Sequence, residues 1–488
     1  MLFLNHSRQV DSDRRFRVRS ISAWIAIALI LLTACSHNAI EDSPPAEITT
    51  STGVFSDSGA VKAPNAWWES FNDPQLDRLV TASLENNPGL AQAWARLRMA
   101  EASQRIAGAT NAPNLSFTGS AQRRFINAPG ESESMETTSG STSFSTSYEL
   151  DLWGRVRSEK DVAMFEAKAT SQDLQAAAVS LIAQVANTWF LLEEKTSQRT
   201  LLEAQYKNAQ QTLELMQTRF ESGSLTGTDL LQQQQSVESR NAALILNQSE
   251  IEVSEHTLAI LLGKDPASAS FSAGDTLPVL PPLPQLGVPA IVLNQRPDVQ
   301  AALLRVREAD AAVSASIANR FPKITLGGSL TSSFGSPVNL FEDWVKTLLA
   351  NLTLPIIDGG SRRAEVDRKQ AQLTVTILAY QQTFLNAMKE VEDALAQERQ
   401  QSRYIQSLEA QTKLSEQVYE QTLTRFQRGN RTYLQVLTAQ DSLHSLNRSL
   451  LTARRTLLAY RIDLYRAIGG PIDLPESEIF TNYSQTRL

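Results

Sequence analysis

The second half of this 488-residue chain repeats its first half at a nearly constant offset. Residues 218–223 read TRFESG and residues 424–429 read TRFQRG, a shift of 206 residues. An earlier pair of similar segments, which begin at Asn87 and Arg296, is shifted by 209 residues. Solenoid repeats are much shorter, at roughly 20–50 residues. The sequence therefore predicts a duplicated half-protein, with two collinear copies of one structural unit.

The N-terminus has the order of a bacterial secretory signal, with basic residues, an apolar stretch and a short cleavage region. Four arginines lie between residues 14 and 19, residues 21–31 are largely apolar, and the segment closes with Cys35. Cys35 is the only cysteine, so a disulfide within one chain does not explain it. Residues 1–34 are predicted to be removed. Residues 35–64 are rich in Ser, Thr and Pro without periodicity, and are predicted to form a tether.

The charge of the chain argues against a nucleic-acid partner. The formal net charge is -7, and residues 1–34 contain five Arg and two Asp, so removing them leaves -7 - 5 + 2 = -10. A nucleic-acid-binding protein needs a basic face. No nucleic-acid partner is therefore expected.

Four short segments alternate apolar and polar residues, as membrane-spanning strands do. They are Leu115–Phe125, Thr142–Leu152, Ile324–Phe334 and Trp344–Leu354. After the signal, no run of apolar residues approaches the roughly 18 that a transmembrane helix needs, so a mature chain that crosses a membrane is expected to do so as strands. The alternative is a pair of half-buried hairpins in a soluble protein.

Two segments between these strands predict very long helices. Residues 155–218 and 361–428 contain no Pro and no Gly, and helices of about 65 residues would be about 100 Å long. Apolar residues recur every seven positions in the segments that follow, at Leu230, Val237, Leu244, Ile251 and Leu258, and at Val436, Leu443, Leu450, Leu457 and Leu464. This spacing predicts left-handed coiled-coil packing. Gly223 and Gly429 fit the turns between the helices, where a left-handed residue ends a helix.

Strand number constrains the assembly. The smallest membrane barrels have about eight strands, and an open strand edge in lipid leaves backbone groups without partners. Four strands per chain therefore predict that several copies share one barrel. Two copies would supply eight strands and three would supply twelve, and the strand count alone does not choose between them.

Several motifs in this order resemble one known family. They are NPGL at 87–90, YELDLWGR at 148–155, LPIIDGG at 354–360, the two RFxxG turns, and LTAC at 32–35, which resembles a lipobox. Together they identify the chain as similar to the TolC-like outer-membrane efflux family, and more narrowly to its OprM/NodT-like lipoprotein branch. The resemblance covers nearly all of the chain after Cys35.

The resemblance implies a mixed α and β membrane protein. Three copies would form a 12-stranded outer-membrane β-barrel, continuous with a periplasmic α-helical coiled-coil barrel. The first repeat is predicted at 65–270, with a β-hairpin at about 115–152 and a helical hairpin at about 155–262. The second is predicted at 271–470, with hairpins at about 324–354 and 361–468, followed by a tail at 471–488. Cys35 would carry a covalent lipid, typically with palmitate, as the outer-membrane anchor.

The implied function is the outer-membrane channel of a tripartite efflux system. Its partners would be a periplasmic adaptor protein and an inner-membrane pump, commonly of the resistance-nodulation-division class, in multidrug resistance or related export. By resemblance, the adaptor would dock at the two turns, formed by Gly223, Ser224, Leu225 and Thr226 and by Gly429, Asn430, Arg431 and Thr432. The pore gate would be formed by Leu434, Thr438 and Asp441, which lie on one helical face. A ring of Leu434 would narrow the pore, and a ring of Asp441 would favour cations.

The sequence offers little support for an enzyme. Its four histidines do not cluster with metal-ligand spacing, and it contains neither a phosphate-binding loop nor a GxSxG motif. No cofactor is expected beyond the lipid, and transport is expected to be passive. Two alternatives remain open. One is a related channel for type I protein secretion or metal-ion efflux, and the other is a periplasmic coiled-coil structural lipoprotein.

Overall fold

The computed structural model describes residues 55–62, 64–126, 135–286, 289–335 and 343–475. The predicted signal peptide, Cys35 and residues 35–54 of the predicted tether lie outside the described residues, as do residues 476–488 of the predicted tail. The lipidation of Cys35 therefore stays a prediction.

Helices make up most of the described chain. A 3₁₀ turn, Trp67–Phe71, precedes them. The α-helices are α1 Pro74–Asn86, α2 Pro88–Ala109, α3 Arg155–Glu221, α4 Gly227–Leu261, α5 Pro289–Leu293, α6 Pro297–Ala318, α7 Ser361–Gln427 and α8 Tyr433–Ile468. The helices α3 and α7 each contain 67 residues, about 100 Å at 1.5 Å per residue. The two long helices predicted from the lack of breakers are confirmed.

The strands form two sheets. They are β1 Val61–Lys62, β2 Asn114–Ile126, β3 Met135–Leu150, β4 Pro284–Gln285, β5 Lys323–Phe334 and β6 Trp344–Thr353. A short parallel pair joins β1 to β4. The main sheet is antiparallel in the order β2-β3-β5-β6, so that β3 and β5 join the two halves of the chain.

The strand predictions were correct in place but wrong in length for β3. This strand was predicted to begin at Thr142 and begins at Met135, where its first residues pair with the end of β2. After Met135, its early part consists of Glu, Thr, Ser and Gly, which give no apolar alternation to detect. The strand also ends at Leu150 instead of Leu152, because the carboxylate of Asp151 accepts hydrogen bonds from the amides of Val156 and Arg157 at 3.0 and 2.8 Å and starts α3.

The two faces of the main sheet differ in chemistry. On one face Phe117 lies opposite Phe144, which in turn lies opposite Leu330. On the other face hydroxyl groups meet across the strands, as between Ser116 and Ser145 at 2.8 Å. The apolar face has its large side chains exposed in a single chain, with Leu348 of β6 at 92% exposure. Alternation with an exposed apolar face is typical of strands that face lipid on one side.

The duplication seen in the sequence is present in the fold. Helices α2 and α6 begin 209 residues apart, at Pro88 and Pro297, whereas α3 and α7 begin 206 residues apart. Strands β3 and β6 still begin 209 residues apart, so the three-residue difference arises between the strands and the long helices. A tertiary contact is repeated as well. The Asn87 side chain donates to the Leu261 carbonyl at 2.9 Å, and Arg296 donates to the Ala467 carbonyl at 2.9 Å.

The largest apolar core lies where the 3₁₀ turn and α1 pack against α3 and α8. Trp67 stacks on Tyr465 with ring centroids 5.4 Å apart, and Phe71 contacts Phe190 at 5.1 Å. Helix α3 contains an 18-residue segment with a mean hydropathy of 1.3, enough by length and composition to cross a membrane. The segment is not an unbroken apolar run, because polar residues such as Gln184 and Asn187 interrupt the apolar residues of this helix. Because 56% of the segment is buried in the protein, we interpret it as a core helix.

The side chain of Glu193 lies in this core and predicts a pH-dependent stability. It is 6% exposed and one carboxylate oxygen has no hydrogen-bond partner among the described residues. Burial, together with the nearby Asp73 carboxylate, raises the pKa of Glu193 to about 8. The folded state therefore binds a proton more tightly than the unfolded state. Its stability falls as the pH rises from the unfolded pKa, near 4.5, to about 8.

We expect Glu193→Gln to raise the thermal stability clearly at pH 8.5 and little at pH 4.5. The gain at high pH should be on the order of 3 kcal/mol, because the neutral amide no longer carries the cost of a buried charge. Circular dichroism melts of the purified protein at both pH values measure this. The neighbouring Glu194 is a matched control. It accepts hydrogen bonds from Gln198 and Thr452 at 2.6 and 2.7 Å, so Glu194→Gln should not stabilise at either pH. An equal shift for Glu193→Gln at both pH values would contradict the assignment.

Candidate pore gate and docking turns

Two turns of nearly identical geometry join α3 to α4 and α7 to α8. Gly223 and Gly429 have φ angles of 73° and 78°, in the left-handed region that glycine adopts without a Cβ penalty. In the first turn, the Ser224 amide donates to the Arg219 carbonyl and the Gly223 amide to the Phe220 carbonyl, both at 2.9 Å. This is the Schellman arrangement.

The second turn repeats both bonds with the same lengths. The Asn430 amide donates to the Arg425 carbonyl and the Gly429 amide to the Phe426 carbonyl, at 2.9 Å each. The prediction that Gly223 and Gly429 end the helices is thus confirmed.

A threonine begins the helix after each turn. The Thr226 hydroxyl accepts from the Asp229 amide at 3.2 Å, and Thr432 forms a capping box with Gln435. The other residues predicted at the turns lie between the glycines and these caps. Ser224, Asn430 and Arg431 are exposed, whereas Leu225 is half-buried.

Side chains from all four long helices meet just inside the turns, in what we call the turn cluster. Its buried members are Met216, Tyr433, Val436 and Leu437, and Leu225, Leu230, Tyr419, Leu423 and Phe426 pack against them. The rings of Phe426 and Tyr433 are 5.4 Å apart. The two helical hairpins of one chain are therefore joined at their ends by apolar contact.

A hydrogen-bond relay adds to this contact. The Tyr433 hydroxyl donates to the Gln233 side chain, whose amide donates to the Ala209 carbonyl at 2.6 Å. Burial raises the pKa of Tyr433, so the phenol stays protonated and remains a donor at physiological pH. The relay connects α8 to α4 and then to α3.

The three predicted gate residues share the exposed side of α8. Leu434 is 54% exposed, and Thr438 and Asp441 are exposed beside it. The Thr438 hydroxyl donates to the Leu434 carbonyl at 2.9 Å, as expected for residues one turn apart. The opposite side of the helix carries the buried residues of the turn cluster. The structure thus brings the three residues together on one exposed surface of α8.

An ion pair that the sequence analysis missed involves one of them. The Asp441 carboxylate, 62% exposed, lies 3.0 Å from Nη2 of Arg240, whose side chain is 8% exposed. The same guanidinium nitrogen donates to Gln440 at 3.4 Å. Arg240 lies on α4, so the pair joins the first hairpin to the second. It also partly neutralises Asp441, which weakens the case for a ring of uncompensated negative charge.

His444, one turn further along α8, does not add a cation to this site at physiological pH. Burial and, after it, the positive charge of Arg240 lower the pKa of His444 to about 4. Among the described residues, no group of three or more His, Cys, Asp or Glu side chains is arranged to hold a metal ion. Arg240 therefore remains the cation that faces Asp441.

Comparison with known proteins gives a consistent match along the chain. Residues 79–264 and 288–470 match the family described as outer membrane efflux protein. Pyoverdine export outer membrane protein OpmQ of Pseudomonas putida is 31% identical over 411 residues, which cover 83% of this chain and 87% of that protein. Outer membrane protein OprJ of Pseudomonas aeruginosa is 29% identical over 467 residues, which cover 93% of this chain and 97% of that protein.

A solved structure shares the fold as well. The outer-membrane channel OprN is 25% identical, with a TM-score of 0.77, and the match covers 88% of this chain and 99% of that chain. Nearly the whole of the solved chain is matched, so the two proteins share one architecture.

Proposed function

Because the chain belongs to the outer membrane efflux protein family, in its OprM/NodT-like branch, and is an outer-membrane efflux channel, we propose that three copies form one continuous duct. The duct would conduct small compounds passively from a periplasmic adaptor and an inner-membrane pump to the exterior. The protein lies in the bacterial outer membrane with a large periplasmic portion.

The observation that carries this proposal is a sheet with two unpaired edges. In the described residues, β2 and β6 each pair on one side only. Unpaired backbone groups are costly in lipid, so the edges would pair between copies. Three copies would close a 12-stranded barrel, with the face of Phe117 and Leu348 toward lipid and the hydroxyl-rich face toward the lumen. The choice of three copies rests on the family resemblance, because two copies would already supply the roughly eight strands of the smallest membrane barrels.

The helices supply the rest of the duct. They extend about 100 Å from the sheet to the two turns, so the turns would lie deep in the periplasm. We propose that the turns at Gly223 and Gly429 meet the adaptor. Leu434, Thr438 and Asp441 would narrow the pore just above the turns, held by the Arg240 pair and the turn cluster.

Anchoring and cargo follow from the same family. A lipid on Cys35 would hold the mature N-terminus in the outer membrane. OpmQ is named for pyoverdine export, and for this chain the pump, rather than the channel, would choose the cargo. We assign the duct no catalytic step and no cofactor beyond the lipid. The pump would be of the resistance-nodulation-division class.

Single-channel recording in a planar bilayer tests the proposal. The purified full-length protein should give small or flickering currents, and Leu434→Gly should give large, steady ones because the narrowing side chain is lost. Native mass spectrometry of the same sample should give the mass of three copies. Large steady currents from both proteins would support the proposed channel but contradict the assignment of the gate to Leu434. No current from either after verified insertion would instead support a structural lipoprotein.

A further inference from the structure

The two turns have the same backbone but opposite charge. The charged residues of the first turn are Arg219, Glu221 and Asp229, and those of the second turn are Arg425, Arg428 and Arg431. The formal charge is therefore +1 - 2 = -1 at the first turn and +3 at the second. The second turn has no acidic residue between positions 424 and 435. Duplication has preserved the fold of the turns and not their electrostatics.

The three arginines of the second turn are exposed and unpaired. Within the described part of the chain, no side-chain hydrogen bond or ion pair engages their guanidinium groups. The buried arginines Arg240, Arg296 and Arg461 are paired. Arg461, for example, contacts Glu398 in a bidentate arrangement. Three free guanidinium groups around one turn repel each other unless a partner compensates them.

The first turn shows that two of these arginines are not needed for folding. Arg428 and Arg431 stand where the first turn has Ser222 and Leu225, at an offset of 206 residues. Both turns nevertheless have the same two Schellman bonds. Leu225 packs on the turn cluster, whereas Arg431 is exposed.

Helix electrostatics explain only some of the charge. A cation is favourable near a helix C-terminus, which accounts for Arg425 and Arg428 at the end of α7. Arg431 directly precedes Thr432, the N-cap of α8, where the helix dipole disfavours a cation. Its position is thus unfavourable for the isolated chain and calls for a negative partner.

We propose that residues 425–431 form a cationic socket for an acidic tip of the partner protein. This inference rests on the proposed docking function. The first turn, with a formal charge of -1, would not bind an acidic tip through charge, so the two turns would not be equivalent docking sites. The outer membrane cannot supply the negative charge, because the socket lies about 100 Å along the helices from the sheet.

Binding of synthetic hairpins tests the socket. The full-length channel in lipid nanodiscs is titrated with three disulfide-stapled helical hairpins that differ only in their tip residues, which are glutamate, glutamine or lysine. The glutamate hairpin should bind most tightly. The double variant Arg428→Ser, Arg431→Leu, which copies the first turn, should weaken that binding roughly tenfold. The difference should shrink between about 0.05 M and about 0.5 M sodium chloride, because salt screens exposed charges.

Two further variants serve as controls for this binding measurement. Arg428→Gln with Arg431→Gln removes the charge without adding an apolar residue and should weaken binding equally. Glu221→Gln places the residue of the second turn in the first, and should leave binding of the glutamate hairpin unchanged or slightly stronger. Equal affinity for all three hairpins, or no change in the arginine variants, would overturn the socket.

Two more measurements distinguish the socket from a lipid-binding surface and from failure of the channel itself. Vesicles of phosphatidylglycerol and phosphatidylethanolamine, in a one-to-three ratio, probe the inner membrane surface. Binding of these vesicles that depends on Arg428 and Arg431, without binding of the glutamate hairpin, would assign the charge to lipid and overturn the proposal. Channel currents of the arginine variants are recorded in parallel. Normal currents with no selective hairpin binding would reject the socket alone, whereas absent wild-type currents would reject the proposed channel.

Discussion

Replacing Arg240 with glutamate should raise the time-averaged channel current by roughly two orders of magnitude, because it turns an attraction between the two hairpins into a repulsion. Arg240 is almost fully buried and its partner Asp441 is largely exposed, so the pair is only partly desolvated. We assign each pair about 1–2 kcal/mol, between exposed and buried ion pairs. Three copies would contribute about 3–6 kcal/mol. A change of about 5.5 kcal/mol moves a two-state gate from nearly closed to nearly open.

A charge exchange separates attraction from simple loss of packing. Arg240→Glu combined with Asp441→Arg restores opposite charges and should return the current toward the wild-type level. The pair of Lys195 and Glu250, at 3.0 Å, offers a matched control because it joins two helices of the same hairpin. Lys195→Glu should leave the current unchanged. If it opened the channel as much as Arg240→Glu, general loosening of the helices would account for both results, and the Arg240 pair would have no special role in the gate.

The sequence was sufficient for features that depend on local periodicity. Long stretches without helix breakers gave α3 and α7 to within three residues at either end. The heptad residues of α4 and α8 are all buried or half-buried, as coiled-coil packing requires. Glycine at the turns was also predictable, because only glycine adopts the left-handed C′ position without penalty. These features need no knowledge of distant contacts.

Features that depend on distant pairing were not predictable in the same way. Residues 136–141 of β3 are polar or glycine and form a strand because β2 provides hydrogen-bond partners, which the alternation pattern does not report. Arg240 and Asp441 are 201 residues apart and do not occupy equivalent positions in the two repeats. Neither residue is unusual in its own helix, so nothing local marked the pair. The charge predicted for the gate therefore took account of Asp441 without its partner.

The same distinction applies to the two turns. Their shared backbone is visible in the sequence as a repeated motif, which reports what the copies have in common. The differences between the copies, Arg428 and Arg431 against Ser222 and Leu225, have a meaning only when the structure places all of them on exposed or cluster-facing positions. In a duplicated protein the two repeats can therefore be compared with each other. Residues that the repeats share indicate the fold, and residues that differ indicate the function of each repeat.

Replacing Leu348 with arginine should abolish insertion of the channel into the outer membrane. Leu348 is 92% exposed near the middle of β6, on the apolar face of the sheet. On the surface of a soluble protein this change would have little effect. An arginine facing lipid at mid-membrane costs roughly 2–4 kcal/mol, and three copies would cost roughly 6–12 kcal/mol.

The neighbouring residue provides the control, because successive residues of a strand point to opposite faces. Thr347 pairs with Ser329 on the hydroxyl-rich face, so Thr347→Arg should insert normally and shift the ion selectivity of the pore toward anions. Outer-membrane fractions, examined for folded oligomer by gel mobility without heating, should contain at least about tenfold less Leu348→Arg than Thr347→Arg. Normal insertion of Leu348→Arg would show that the apolar face does not contact lipid, and would contradict the proposed shared barrel. Equal loss of both variants would show that the strand rejects charge on either face, and the assignment of lumen and lipid sides would fall.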